Sequence, residues 1–266
     1  MKVTILQMDV VKDKEANLKT VENYFKTSLS GADLALLPEM FNCPYEVGLF
    51  SDYAEEEGGR TYQFLADLAK EYQVAIVGGS IPEKAGDKIY NTSYIFNKEG
   101  LCVGKHRKTH LFDVDIKGGI TFKESDVLSP GQAYTLVDLG FTKIGVCICY
   151  DMRFPEFIRQ MVLKGAQLVT IPAAFNTTTG PAHWSVTARA RAIDNQCFVA
   201  LASPARSKTS TYQAYGHSLM VNPWGEVLGE MDKEPGCLTL DLDLREIETV
   251  RQALPLLKHR KEEVYG

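Results

Sequence analysis

The 266-residue sequence predicts an α/β layered fold. Short runs rich in β-branched residues alternate with segments of helical apolar spacing along the whole chain, and several of the runs are apolar throughout, as strands covered on both faces must be. No linker or repeat interrupts the alternation. In order, the runs at residues 2–8, 34–37, 74–79, 93–96, 142–148, 168–171, 198–202 and 218–221 read as interior strands. Segments 17–27, 61–72, 157–164, 182–195 and 244–254 read as helices, because apolar side chains recur there every three or four positions. Pro155 stands where the third of these helices would begin, with Phe154 held extended before it. Residues 106–130 are polar, glycine-containing and rich in lysine and acids; they read as long loops, where functional sites concentrate.

Composition bounds the function. With 45% hydrophobic and 24% charged residues the chain can bury a sizeable core, as one large domain or two small ones. A formal net charge of -5 and scattered basic residues give no stripe able to grip a phosphate backbone, which argues against nucleic acid as a partner. The apolar run near the first residue is too short for a signal peptide or a membrane span, and so are the later ones. A cytoplasmic protein without a membrane partner is expected. The cysteines at 43, 102, 147, 149, 197 and 237 form no CxxC pair, which fits reduced thiols better than a disulfide framework or a zinc ribbon.

Three segments carry chemistry. GVCICYDMRFPE, residues 145–156, reads as a buried strand that stops at Cys149 and turns into a helix. A nucleophile on such a bend projects from the sheet, and the N–H of Tyr150 is left free to hold a developing oxyanion. The alternative is a cysteine that simply fills the core. In ADLALLPEMF, residues 32–41, Glu39 follows an apolar strand and a proline and precedes Met40 and Phe41. It reads either as a sheltered carboxylate or as a solvent-facing loop residue. A nucleophilic thiol, mostly protonated at neutral pH, needs an activator, and Glu39 could serve as one. GKHRKTHLFDVD, residues 104–115, packs Lys108 between His106 and His110. The pair of histidines suggests a metal, but the cations between them would oppose a divalent ion and the HExxH glutamate is missing; no metal is expected.

Together the three segments resemble the nitrilase superfamily of carbon–nitrogen hydrolases, whose catalytic glutamate, lysine and cysteine match Glu39 in LLPEMF, Lys108 in RKTHLFD and Cys149 in CYDMRFPE. A second glutamate, which in relatives lies near the catalytic set, matches Glu124 in ITFKESDVLSPG. The resemblance covers nearly the whole chain, through NPWGEVL to HRKEEVYG, and implies a single domain over residues 1–266. It implies a four-layer α–β–β–α sandwich in which two mixed sheets pack face to face, a homodimer formed through helices flanking the nucleophile, and catalysis without a cofactor. Within the superfamily, HRKTHLFDVDI, FNTTTGPAHW and RAIDNQCFVALASPAR are similar to omega-amidases, which hydrolyse the terminal amide of 2-oxo acid amides. One departure is Lys117-Gly118-Gly119, where a proline beside a glycine is expected. The substrate's carboxylate calls for a guanidinium, for which Arg153 is the candidate; its alternative is an ion pair with Glu156. Tyr45, Phe175 and Thr179 are the further pocket candidates, Phe175 with core packing as its alternative and Thr179 as a residue exposed to ligand.

Overall fold

Two mixed sheets dominate the computed structural model, which describes residues 1–29, 31–117, 120–207 and 211–265. Gly118 and Gly119, in the predicted loop departure, lie outside the described residues. The first sheet runs in the order Gly236–Asp241, Lys2–Gln7, Leu34–Leu36, Ala75–Val77, Lys88–Phe96, Ile81–Ala85, and Cys102–Arg107 also pairs with Lys88–Phe96. Its central strands are parallel and its flanks antiparallel. The second runs Val227–Glu230, Leu219–Val221, Phe198–Ala202, Leu168–Pro172, Lys143–Val146, Thr135–Asp138, again parallel at the centre.

Side-chain alternation assigns the layers. Val3, Ile5, Leu34 and Leu36 of the first sheet share one buried cluster with Ile144, Val146, Phe198 and Ala200 of the second, so these residues fill the space between the sheets. The intervening Leu6, Ala35 and Leu37 face outward and pack with Leu18, Val21, Phe25, Leu65 and Leu68 from the helices Lys14–Ser28 and Arg60–Tyr72. On the other side, Val169, Ile171, Val199 and Leu201 pack under Ile158, Met161, Trp184 and Ala188 from the helices Pro155–Leu163 and Gly180–Asn195. The result is the four-layer α–β–β–α sandwich of two mixed sheets that the resemblance implies.

All eight expected strands and all five expected helices are present, with ends shifted by a few residues. The run expected at 93–96 is the buried half of Lys88–Phe96. The expectation of long loops over 106–130 is corrected. That stretch begins on the strand Cys102–Arg107 and holds a hairpin, Asp113–Asp115 paired with Thr121–Lys123, followed by the single turn Glu124–Asp126. Three-residue strands whose ends point to solvent leave no apolar run to read. Among the described residues no helix is long and apolar enough to cross a membrane.

Candidate active site

Cys149 sits where the sequence puts it, past the end of Lys143–Val146 and at the start of a 3₁₀ turn, Cys149–Arg153, that leads into the helix at Pro155. Its backbone is left-handed, φ +47°, a strained conformation for a residue with a Cβ. As one of the first amides of a helical turn, the Tyr150 N–H has no intrahelical acceptor.

What holds the bend is Asp151, a residue the sequence reading passed over. Its fully buried carboxylate accepts from the Ile148 N–H at 3.0 Å, the Thr109 and His110 N–H groups at 3.2 and 2.9 Å, His106 Nε2 at 3.0 Å and His110 Nδ1 at 2.7 Å. Burial opposes the charge, but the His106 and His110 hydrogen bonds hold the carboxyl well below the usual range. Because Thr109 directly follows Lys108, one carboxylate fixes the bend at Cys149 against the chain that carries Lys108. The two histidines dismissed as metal ligands are the donors of this lock. Asp151→Asn keeps one acceptor oxygen but turns an amide N–H₂ toward groups that need an acceptor. It is expected to cost about 1–3 kcal/mol of stability and to lower kcat by about 10- to 100-fold with little change in KM, measurable by thermal denaturation and steady-state kinetics.

Glu39 is fully buried, which excludes the solvent-facing alternative. The turn that carries it, with Met40 at φ +52°, is seated by Ser80, whose Oγ accepts the Met40 N–H at 3.0 Å. Gly79 permits that approach: a Cβ there would lie 2.1 Å from the Pro38 carbonyl oxygen. Glu39 Oε1 accepts Lys108 Nζ at 2.9 Å and Asn91 Nδ2 at 2.8 Å, and Oε2 accepts the Ala174 N–H at 2.7 Å. Lys108 Nζ lies equally 2.9 Å from Glu124 Oε1, which also accepts the Tyr45 hydroxyl at 2.6 Å, while Glu124 Oε2 accepts the Phe112 N–H at 2.6 Å. Tyr45, expected as a pocket wall, therefore also anchors the second glutamate.

The electrostatics follow from this packing. Burial, reinforced by Glu124 and opposed by Lys108, raises the Glu39 pKa. Burial also pushes the Cys149 thiol well up, with Glu39 adding to it. For Lys108 burial works toward neutrality, but Glu124 and Glu39 overcome it and keep the ammonium. At rest the centre is thus a protonated thiol beside a buried carboxylate and a fixed cation.

Two adjoining cavities open onto these groups and share Ala174 and Tyr212 in their walls. One is lined by Glu39, Tyr45 and Met40 among others. The other is lined by Cys149, Tyr150, Arg153, Phe175, Asn176 and Thr179, with Phe112 beside them. Tyr212, which the sequence reading also missed, packs against Tyr45 with ring centroids 4.7 Å apart and planes tilted by 48°, and donates its hydroxyl to the Ala174 carbonyl. It lies in a polar, serine- and threonine-rich stretch that shows no periodicity.

Arg153 lies in the second cavity and forms no ion pair with Glu156 among the described residues. Its guanidinium rests 4.7 Å from the Phe175 ring centroid, Nη1 contacts His183 Nδ1 at 3.0 Å, and its buried Nε has no partner. Phe175 fills both readings at once, since it packs edge-on against Trp184 at 5.0 Å and lines the cavity. Thr179, read as a residue exposed to ligand, lies in the cavity wall at the start of Gly180–Asn195, 7% accessible. Arg191, 3.6 Å from Asp194, donates to the Met152 and Arg153 carbonyls and braces the turn behind Cys149.

Known proteins share this arrangement of elements. The carbon-nitrogen hydrolase family model matches residues 2–252. The omega-amidase NIT2 of Danio rerio is 44% identical over 266 residues, covering 100% of this chain and 96% of that protein. The omega-amidase NIT3 of Saccharomyces cerevisiae is 46% identical over 276 residues, covering 100% and 95%. The crystal structure of Saccharomyces cerevisiae Nit3, described as a member of branch 10 of the nitrilase superfamily, superposes with a TM-score of 0.90 at 42% identity over 98% of this chain and 96% of that one. With its sandwich of sheets, its sequence and its structural neighbour in agreement, the chain belongs to the carbon-nitrogen hydrolase family.

Proposed function

We propose that this protein is an omega-amidase that hydrolyses the terminal amide of a 2-oxo acid amide, such as 2-oxoglutaramate or 2-oxosuccinamate, to the dicarboxylic acid and ammonia. The observation that carries the reading is the Cys149 thiol beside buried Glu39 and Lys108, facing a cavity in which Arg153 keeps an unpaired N–H. The names of relatives at 44% and 46% identity support it.

The steps follow from the side chains. Cys149 Sγ bonds to the amide carbon while Glu39 takes the thiol proton. The tetrahedral oxyanion accepts from the Tyr150 N–H and from the third N–H of Lys108, which otherwise makes only a long 3.4 Å contact with the Tyr45 hydroxyl. Glu39 returns its proton to the amide nitrogen, the C–N bond breaks, and ammonia leaves behind a thioester. Glu39 then deprotonates water, which adds to the thioester carbonyl and expels the Cys149 sulfur, reprotonated by Glu39. Glu124, bonded to Lys108, Tyr45 and the Phe112 N–H, keeps the ammonium aimed through both half-reactions. Arg153 receives the substrate carboxylate, with Tyr45, Phe175 and Thr179 shaping the walls.

The reaction uses the single domain of residues 1–266 and no cofactor. Exposed Leu163, Val186 and Ile193 on the helices around the nucleophile suit a homodimer, for which gel filtration at working concentration should give twice the chain mass. All six cysteines are free, which suits the reducing cytoplasm. Ammonia release by the purified protein from 2-oxoglutaramate, glutamine, an aliphatic nitrile and a carbamoyl amine tests the reading. Preferred turnover of the oxo amide is expected; faster turnover of the nitrile or the carbamoyl amine would replace the substrate.

A further inference from the structure

Asn176 lines the same cavity as Cys149 and Arg153, is 4% exposed, and has one unspent hydrogen-bonding atom. Its Oδ1 accepts the Thr178 and Thr179 N–H groups, each at 2.9 Å, and the Thr179 hydroxyl at 3.3 Å. Two backbone N–H groups demand an acceptor, so the amide cannot be turned over, and Nδ2 is the end left without a partner. The surroundings say what such a donor would meet. Arg153 Nε is the other buried donor of the cavity without a partner, and no aspartate or glutamate is among its lining residues. Thr179 cannot take the part in this arrangement, because its hydroxyl proton is directed to Asn176. A site with two unspent donors, one of them cationic, and no lining acid is complementary to a carboxylate.

We infer that Asn176 Nδ2 donates to the substrate's carboxylate beside Arg153 and so sets the preference for anionic over neutral amides. The inference rests on the omega-amidase reading and deepens it. The chain from Ala174 to Thr179 then has consecutive tasks. The Ala174 N–H orients Glu39, Phe175 carries the Arg153 guanidinium, and Asn176 presents its amide from a turn that leads into Gly180–Asn195.

The test is a change in selectivity. Asn176→Asp keeps the oxygen that accepts the Thr178 and Thr179 N–H groups and replaces the donor by an anionic oxygen, which repels a carboxylate or captures Arg153. Asn176→Ser keeps a hydroxyl acceptor for the turn and removes the amide donor, so it carries the same prediction should the aspartate variant not fold. The ratio of kcat/KM for 2-oxoglutaramate to that for the neutral amide pentanamide is expected to fall by about 10- to 100-fold in the folded variants, through KM for the oxo amide. Equal losses on both amides, leaving the ratio unchanged, would overturn this inference and leave the function standing. If the unsubstituted protein itself shows no preference for the oxo amide, the function and the inference fall together.

Discussion

Cys149→Ala is expected to abolish ammonia release, lowering turnover by at least about 10⁴-fold while the protein stays folded. In the proposed mechanism every other feature of the centre serves this sulfur: the carboxylate that takes its proton, the ammonium and the Tyr150 N–H that meet the oxyanion, and the bend that presents it. Alanine has the same Cβ, so the left-handed backbone at φ +47° is no more strained than before, and the Asp151 hydrogen bonds that hold the bend do not involve the side chain removed. Cys149→Ser separates nucleophilicity from shape. A hydroxyl fits the space but has a far higher pKa than a thiol, so Glu39 cannot ionise it in the same way, and a loss nearly as complete is expected. Ammonia assays with circular dichroism as the folding control check both variants. Residual turnover within about tenfold of the unsubstituted protein in either one would remove Cys149 from the mechanism.

How much of this centre the sequence discloses depends on the kind of signal each residue leaves. The strands at Leu34–Leu36, Lys143–Val146 and Leu168–Pro172 are legible because both of their faces are buried, which makes them apolar runs, and Cys149 and Glu39 are legible because each follows such a run. The edge strands Val227–Glu230 and Gly236–Asp241 have no fully buried residue and leave a weaker pattern. Lys108 sits among basic residues that look like a solvated face. The resemblance singles it out, but what separates it physically from Lys105 is the fold, which pairs Cys102–Arg107 with Lys88–Phe96 and delivers the next residue to Glu39. Asp151 and Asn176 leave less still. Each acts through hydrogen bonds to backbone groups, in the case of Asp151 about forty positions away, and a backbone N–H has no letter in a sequence. DMRF between a cysteine and a proline could nonetheless have raised the question of where a carboxylate two residues past a nucleophile finds its donors.

Lys108→Met should damage activity and stability together, and the pH dependence separates the two. The side chain is fully buried, 2.9 Å from both Glu39 and Glu124, so its removal leaves two carboxylates facing one another without a counter-ion. Breaking a buried pair in this way costs about 3–5 kcal/mol, a fall of about 6–20 °C in Tm for a chain of this size. Methionine nearly preserves the volume, so packing contributes little to the loss. Glu39 already has a raised pKa from burial, and Lys108 is the neighbour that opposes the rise, so the substitution lifts it further. A carboxyl whose folded pKa exceeds its unfolded value binds more protons when folded. The stability it lends is therefore present below the unfolded pKa and lost as pH rises through the folded one. The deficit of the variant relative to the unsubstituted protein should accordingly be largest near neutral pH and shrink as the solution is acidified and Glu39 takes up a proton. Turnover does not recover with it, because the same protonation removes the base and the oxyanion's cation is still absent; a loss of about 10³-fold in kcat should persist at every pH. Thermal melts and kcat measured in parallel between pH 5 and 8 decide the matter. A deficit that is flat with pH would mean that Glu39 and Glu124 do not depend on Lys108 for their charge balance, and near-normal turnover would take the ammonium out of the oxyanion site.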